Sequence, residues 1–232
     1  MLHDADHEPE LIALIGEEIG RHGPMTFARF MDLALYAPGL GYYMRDAERI
    51  GARGDYYTSS SLHPLFGQMI ARQIEEMAGY CDGTFTVIEQ GAGKGALACD
   101  ILSALDQVPD LGSRLAYLII ERSPAMVARQ RRLLEPWATS GRVRWAEVLP
   151  ASPIRGCVVS NELVDAFPVH RVLQQDGRLA ELYVGVSGKG FADVVGPPST
   201  PELEAYLRRV GVTLAEGQQA EINLAAVNWI RE

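Results

Sequence analysis

The stretch Phe85-Thr86-Val87-Ile88-Glu89-Gln90-Gly91-Ala92-Gly93-Lys94-Gly95-Ala96 constrains the fold more than any other. A short apolar run ends in an acid, glycines follow at every second position, and a helical pattern begins. Glycine suits such a turn because the backbone angles resist a Cβ and a ligand can then approach the main chain. From residue 84 the chain alternates between two periodicities. Strand candidates are Phe85–Glu89, Leu115–Glu121, Val143–Trp145 and Cys157–Ser160, with helices at 95–106 and 124–135 between the first three. Short apolar runs joined by helices predict βαβ units and a mostly parallel, Rossmann-like α/β sheet.

The flanking regions read differently. Leu11, Ile12, Leu14, Ile15 and Ile19 recur at helical spacing until Gly20 and Gly23-Pro24. A second helix is expected from near Thr26, carrying Phe27, Phe30, Met31, Leu33 and Leu35, and a third carries Leu62, Leu65, Phe66, Met69, Ile70, Ile74 and Met77. Between them, residues 37–61 are rich in glycine and hold Tyr42, Tyr43, Tyr56 and Tyr57, a length that suits a functional loop. Segments 169–175 and 179–186, split by Asp176-Gly177, read as a β-hairpin. Helices are expected near 200–210 and 218–231, after Gly196-Pro197-Pro198. The expected division is residues 1–80 as a helical extension with its long loop, and 81–232 as the sheet domain with a hairpin insertion.

Charge and composition narrow the function. A net charge of −9 argues against a broad nucleic-acid footprint, which needs clustered Lys and Arg. No apolar run approaches the roughly 20 residues that cross a bilayer. Met1-Leu2-His3-Asp4-Ala5-Asp6 lacks the basic and apolar regions of a signal peptide, so a cytoplasmic location is expected. Cys81, Cys99 and Cys157 match no metal-ligand spacing, no metal is expected, and Cys99 and Cys157 read as buried thiols.

The glycine turn points to a nucleoside-type ligand, because Glu121 ends the next strand where an acid can accept ribose hydroxyls. A P-loop is excluded: Lys94 is followed by Gly95, and Ile88 stands where that motif needs glycine. A nicotinamide or flavin site stays open, since Gly91, Gly93 and Ala96 fit G-x-G-x-x-A. Glu89 weighs against it, because a carboxylate repels pyrophosphate and attracts the sulfonium and ammonium of S-adenosylmethionine. After the fourth strand candidate, Asn161, Glu162 and Asp165 fall where substrate-facing residues sit in open α/β sheets, although Asn161 or Asp165 also reads as a helix cap. His170 reads as a hydrogen-bonded structural histidine.

Four ordered motifs carry a resemblance. Gly23-Pro24-Met25 with Phe30-Met31 leads to Ala37-Pro38-Gly39-Leu40-Gly41-Tyr42-Tyr43; Gly54-Asp55-Tyr56-Tyr57-Thr58-Ser59 precedes Leu65-Phe66-Gly67. The glycine turn and Asn161-Glu162-Leu163-Val164-Asp165-Ala166-Phe167-Pro168-Val169-His170 complete the set. The chain resembles the MidA-like methyltransferases, whose mitochondrial members assist assembly of respiratory complex I. The resemblance implies a class I methyltransferase sheet with an N-terminal helical extension, S-adenosyl-L-methionine as cofactor, and methyl transfer to a protein arginine. The implied partner is a protein with an accessible arginine, such as a respiratory-complex subunit. Gly54, Thr58, Ser59, Gly91, Gly93 and Glu121 would touch the cofactor, and Glu89, Ala92 and Glu147 are counted with them. Asn161, Glu162 and Asp165 would act in catalysis. The family pattern continues after Glu232 into further strands with a D-Y-G motif, so the expected sheet lacks those strands. Two other functions fit the same residues: a non-catalytic assembly protein that keeps the fold, and a dinucleotide-binding oxidoreductase.

Overall fold

The computed structural model describes residues 9–44, 63–109, 111–188 and 190–231. Contacts group the chain into two compact units, one of residues 1–45 with 164–232 and one of residues 46–163. This grouping differs from the expected division at 80/81, because the first helices pair with a late antiparallel sheet.

Helix α1, Pro9–His22, buries Ile15 and Ile19 and ends where the Gly23 amide donates to the Ile19 carbonyl (2.8 Å). Gly23 is left-handed there (φ +83°), the usual helix-ending use of glycine. A two-residue strand β1, Met25–Thr26, leads into α2, Phe27–Tyr36. The Thr26 hydroxyl caps α2 by accepting from the Arg29 amide at 3.1 Å.

In the second unit, α3 (Leu65–Gly79) precedes β2 (Phe85–Gln90), α4 (Ala96–Leu105) and the short α5 (Leu111–Arg114). Then come β3 (Leu115–Ile120), α6 (Pro124–Leu133), α7 (Glu135–Thr139), β4 (Val143–Ala146) and β5 (Gly156–Ser160). Each of the four expected strands is present, and they pair in the order β4-β3-β2-β5, all parallel. Ile74, Val87, Ile101, Leu102, Ile119 and Leu134 lie at the centre of this unit's core, almost wholly buried. Strand β5 is an edge, and its Val158 is 55% exposed.

The first unit resumes with a 3-10 turn, Val164–Ala166, then β6 (His170–Gln175), β7 (Arg178–Ser187), β8 (Gly190–Gly196), α8 (Glu202–Arg209), β9 (Gln219–Ile222) and α9 (Leu224–Trp229). The expected hairpin is β6–β7, turned by Asp176 and Gly177 with φ of +52° and +70°. It belongs to a five-stranded antiparallel sheet, ordered β1-β7-β6-β9 with β8 also on β7. Val172, Leu203, Leu214 and Ile222 form one core beneath it, and Ile15, Ile19, Met25, Leu33 and Val184 another.

The helix expected at 218–231 changes here. Residues 219–222 are strand β9, and helix occupies only Leu224–Trp229 instead of 218–231. Helix-favouring Ala and Glu are overridden by pairing with β6, which buries Ile222, while the Asn223 side chain starts α9 by accepting from the Ala226 amide at 2.8 Å. Strand β8 was not legible because most of its side chains face water, leaving no apolar alternation. Among the described residues, no helix is long and apolar enough to cross a membrane.

Candidate functional site

The strands of the parallel sheet end in register. Gln90 of β2 partners both Ile120 and Ser160, and Ile120 partners Ala146. The residues that follow these four ends are Gly91, Glu121, Glu147 and Asn161. They therefore leave the sheet at one edge, the carboxyl edge where open α/β sheets bind ligands. Gly91, Gly93 and Gly95 have φ of +75°, +53° and +89°, so the turn needs glycine at all three. Ala92 is buried between them, and α4 begins directly after Gly95. An N-terminal helix end with accessible main chain suits a polar ligand.

One residue that sequence reasoning missed ties this edge together. Gln130 of α6 is fully buried. Its Nε2 donates to the Gly93 carbonyl (2.8 Å) and to Glu121 Oε2 (3.2 Å), and its Oε1 accepts from Trp145 Nε1 (2.8 Å). Glu121 Oε1 accepts from the Ser123 amide at 2.8 Å, so both carboxylate oxygens are fixed. The available signal was a polar residue on an apolar stripe, four positions before the buried Leu134.

Glu89 sits in β2 on the face shared with Val87 and, across the register, Tyr117. It is 2% exposed, and the Tyr117 hydroxyl donates to its Oε2 at 2.7 Å. Burial pushes its carboxyl up to about 7, and the Tyr117 bond opposes that only in part. The expected fixed negative charge is therefore a titrating one. Near neutral pH a cation stabilises the ionised form and a pyrophosphate the protonated form.

Asn161 is half-buried after β5, and Glu162 is exposed with a left-handed backbone (φ +49°). Leu163 lies over the glycine turn: a Cβ added at Gly91 would come within 3.0 Å of Leu163 Cδ1. Glu147 is exposed just after β4. Asp165 is exposed in the 3-10 turn of the first unit, while Asn161 and Glu162 belong to the second. Gly54, Thr58 and Ser59 lie outside the described residues. His170 Nδ1 is 2.8 Å from Glu181 Oε1, so this histidine is hydrogen-bonded within its sheet. Cys99 and Cys157 are half-buried free thiols, pushed up by burial. Among the described residues, no group of three His, Cys, Asp or Glu could hold a metal.

Comparison with known proteins gives concordant matches. The model of a family described as "Putative S-adenosyl-L-methionine-dependent methyltransferase" matches residues 65–232. The rat mitochondrial protein arginine methyltransferase NDUFAF7 is 30% identical over 232 residues, covering 89% of this chain and 53% of its own. Its Caenorhabditis elegans homolog is 29% identical, covering 75% of this chain and 46% of its own. A Burkholderia thailandensis protein solved with S-adenosyl-homocysteine bound superposes with a TM-score of 0.84 at 37% identity, covering 97% of this chain and 58% of that one. The chain thus spans about half the length of the curated relatives it matches.

Proposed function

Because the chain belongs to the S-adenosyl-L-methionine-dependent methyltransferase family whose model covers residues 65–232, we propose that it transfers a methyl group from that cofactor to a protein arginine side chain. The observation that carries the reading is the carboxyl edge of the parallel sheet, where a three-glycine turn stands beside a fixed Glu121 carboxylate. The turn offers main chain without side chains. Each Glu121 oxygen takes one protein N–H and keeps a lone pair for a hydroxyl. These groups fit an uncharged ribose and a cationic sulfur. The structure bound to S-adenosyl-homocysteine and the relatives named protein arginine methyltransferases support the reading.

When bound, the cofactor supplies a methyl group already activated on a sulfonium. The protein's task is alignment, which contributes on the order of 7–11 kcal/mol in favourable cases. The glycine turn and Glu121 hold the nucleoside. Glu162 would accept two guanidinium N–H groups as a bidentate pair, orienting the acceptor, and its carboxylate would take the proton the nitrogen gives up. This help is needed because a guanidinium stays protonated up to a pKa above about 12. Asn161 is proposed to orient the acceptor, with Asp165 as a helper by its place in the motif.

Titration calorimetry with S-adenosylmethionine and S-adenosylhomocysteine, with NADH as control, tests the cofactor. Heat with NADH alone would establish the oxidoreductase alternative. Mass spectrometry for methyl-arginine on candidate respiratory-complex subunits tests the acceptor. Glu162→Gln is expected to lower turnover by roughly a hundredfold or more while cofactor affinity stays within a few-fold; near-normal turnover would remove Glu162 from the reaction. Partner capture without methyl transfer by the wild type would favour the assembly-protein alternative.

A further inference from the structure

The amide of Gln130 has one possible orientation. Turned over, its oxygen would face the Gly93 carbonyl and the Glu121 carboxylate, both acceptors, and its NH2 would face the Trp145 indole N–H, a donor. In the observed orientation both amide hydrogens and the oxygen are used, with no access to water. The aliphatic stem is held as well, since a Cβ added at Gly95 would come within 3.3 Å of Gln130 Cγ. A single side chain thus spans the glycine turn, the end of β3 and the middle of β4.

We propose that Gln130 is a positioning residue that makes the site selective for ribonucleosides, by holding the Glu121 carboxylate at the angle that receives ribose hydroxyls. It touches no ligand itself. The Ser123 amide fixes Oε1 and Gln130 fixes Oε2, so the carboxylate cannot rotate. Because Nε2 also bonds the Gly93 carbonyl, the acceptor and the turn keep a constant separation. A carboxylate so held presents its free lone pairs to the vicinal hydroxyls of a ribose without reorganising on binding. The inference rests on the cofactor reading above and extends it to a residue outside the glycine motif.

The test is the ratio of dissociation constants for 2′-deoxy-S-adenosylhomocysteine and S-adenosylhomocysteine. Wild type is expected to favour the ribo ligand by roughly tenfold or more, the size of a hydrogen bond to a charged group. Gln130→Met removes all three bonds at similar shape, and Gln130→Asn keeps a buried amide but withdraws it from Glu121. Each is expected to reduce the preference to about threefold or less, and the Asn variant carries the test if the Met variant does not fold. Trp145→Phe removes a bond of the same network without touching Glu121 and should keep the preference. An unchanged ratio in the Gln130 variants, or an equal loss in Trp145→Phe, overturns the inference and leaves cofactor binding standing. Wild type that binds both ligands equally overturns it too. Absence of S-adenosylhomocysteine binding by wild type overturns the cofactor reading itself.

Discussion

Glu89 in β2 and Glu181 in β7 are both withdrawn from water, at 2% and 0% exposure, yet their carboxyl groups are displaced in opposite directions. Burial pushes both up. At Glu89 a single Tyr117 hydroxyl opposes it, and the group ends at about 7. At Glu181 the His170 imidazole and the Ser199 amide (2.6 Å) together overcome burial, and the group ends below the ordinary carboxylate range. The donor count decides the outcome. The antiparallel sheet holds a satisfied anion that joins β6 to the segment after β8. The parallel sheet holds an acid that is half ionised near neutral pH, one residue before the glycine turn's threshold at Gln90-Gly91.

The largest way to break the contrast is Glu181→Ala, expected to cost about 4 kcal/mol because it strands His170 and the Ser199 amide. Denaturant unfolding at pH 7 measures it; a cost under about 1 kcal/mol would put Glu181 on a par with exposed ion pairs. Glu89→Gln should do the reverse. The raised Glu89 group contributes its full stability below about pH 4.5 and loses it as pH climbs to about 7. A neutral glutamine escapes that loss, so the variant should gain up to about 3 kcal/mol on wild type above pH 7. Equal stability of the two proteins at pH 5 and pH 8 would sink the assignment. Ligand binding sharpens the contrast further. A cationic ligand near Glu89 should gain affinity by up to roughly tenfold per pH unit between about 5.5 and 7, flattening in Glu89→Gln. A pyrophosphate ligand should instead lose affinity as pH rises above about 7, where Glu89 ionises.

The same comparison explains what could be read from sequence. The parallel unit was legible because its information is local: each strand, its turn and its helix lie within about 30 residues, and Gly91, Gly93, Glu121 and Asn161 fall at positions that the βαβ grammar fixes. Gln130 escaped because its role depends on three partners at 93, 121 and 145 that only folding assembles. The antiparallel unit rests on distant pairing. Met25 lies opposite Val184, and His170 opposite Ile222. Nothing local in Gln219–Ile222 announces a strand, since its alternation is short and its residues favour helix. Nothing local marks Glu181 as buried, because the histidine that holds it lies across the strand pair and the amide beyond the next strand.

Tyr117→Phe carries the smallest expected effect and isolates the cause of the Glu89 shift. The Tyr117 hydroxyl is itself held well above its ordinary range, first by burial and then by Glu89, so it stays protonated and only the carboxyl titrates. Removing the hydroxyl deletes the one contact that favours the ionised carboxylate. The group should then titrate above 7, and the pH at which stability stops falling should move up with it. The cost above pH 7 should be about 1 kcal/mol, one neutral donor lost to a charged acceptor and partly offset by protonation. Stability curves of Tyr117→Phe and wild type that level off at the same pH would mean another donor sets the Glu89 proton, and Glu89 would then resemble Glu181 rather than oppose it.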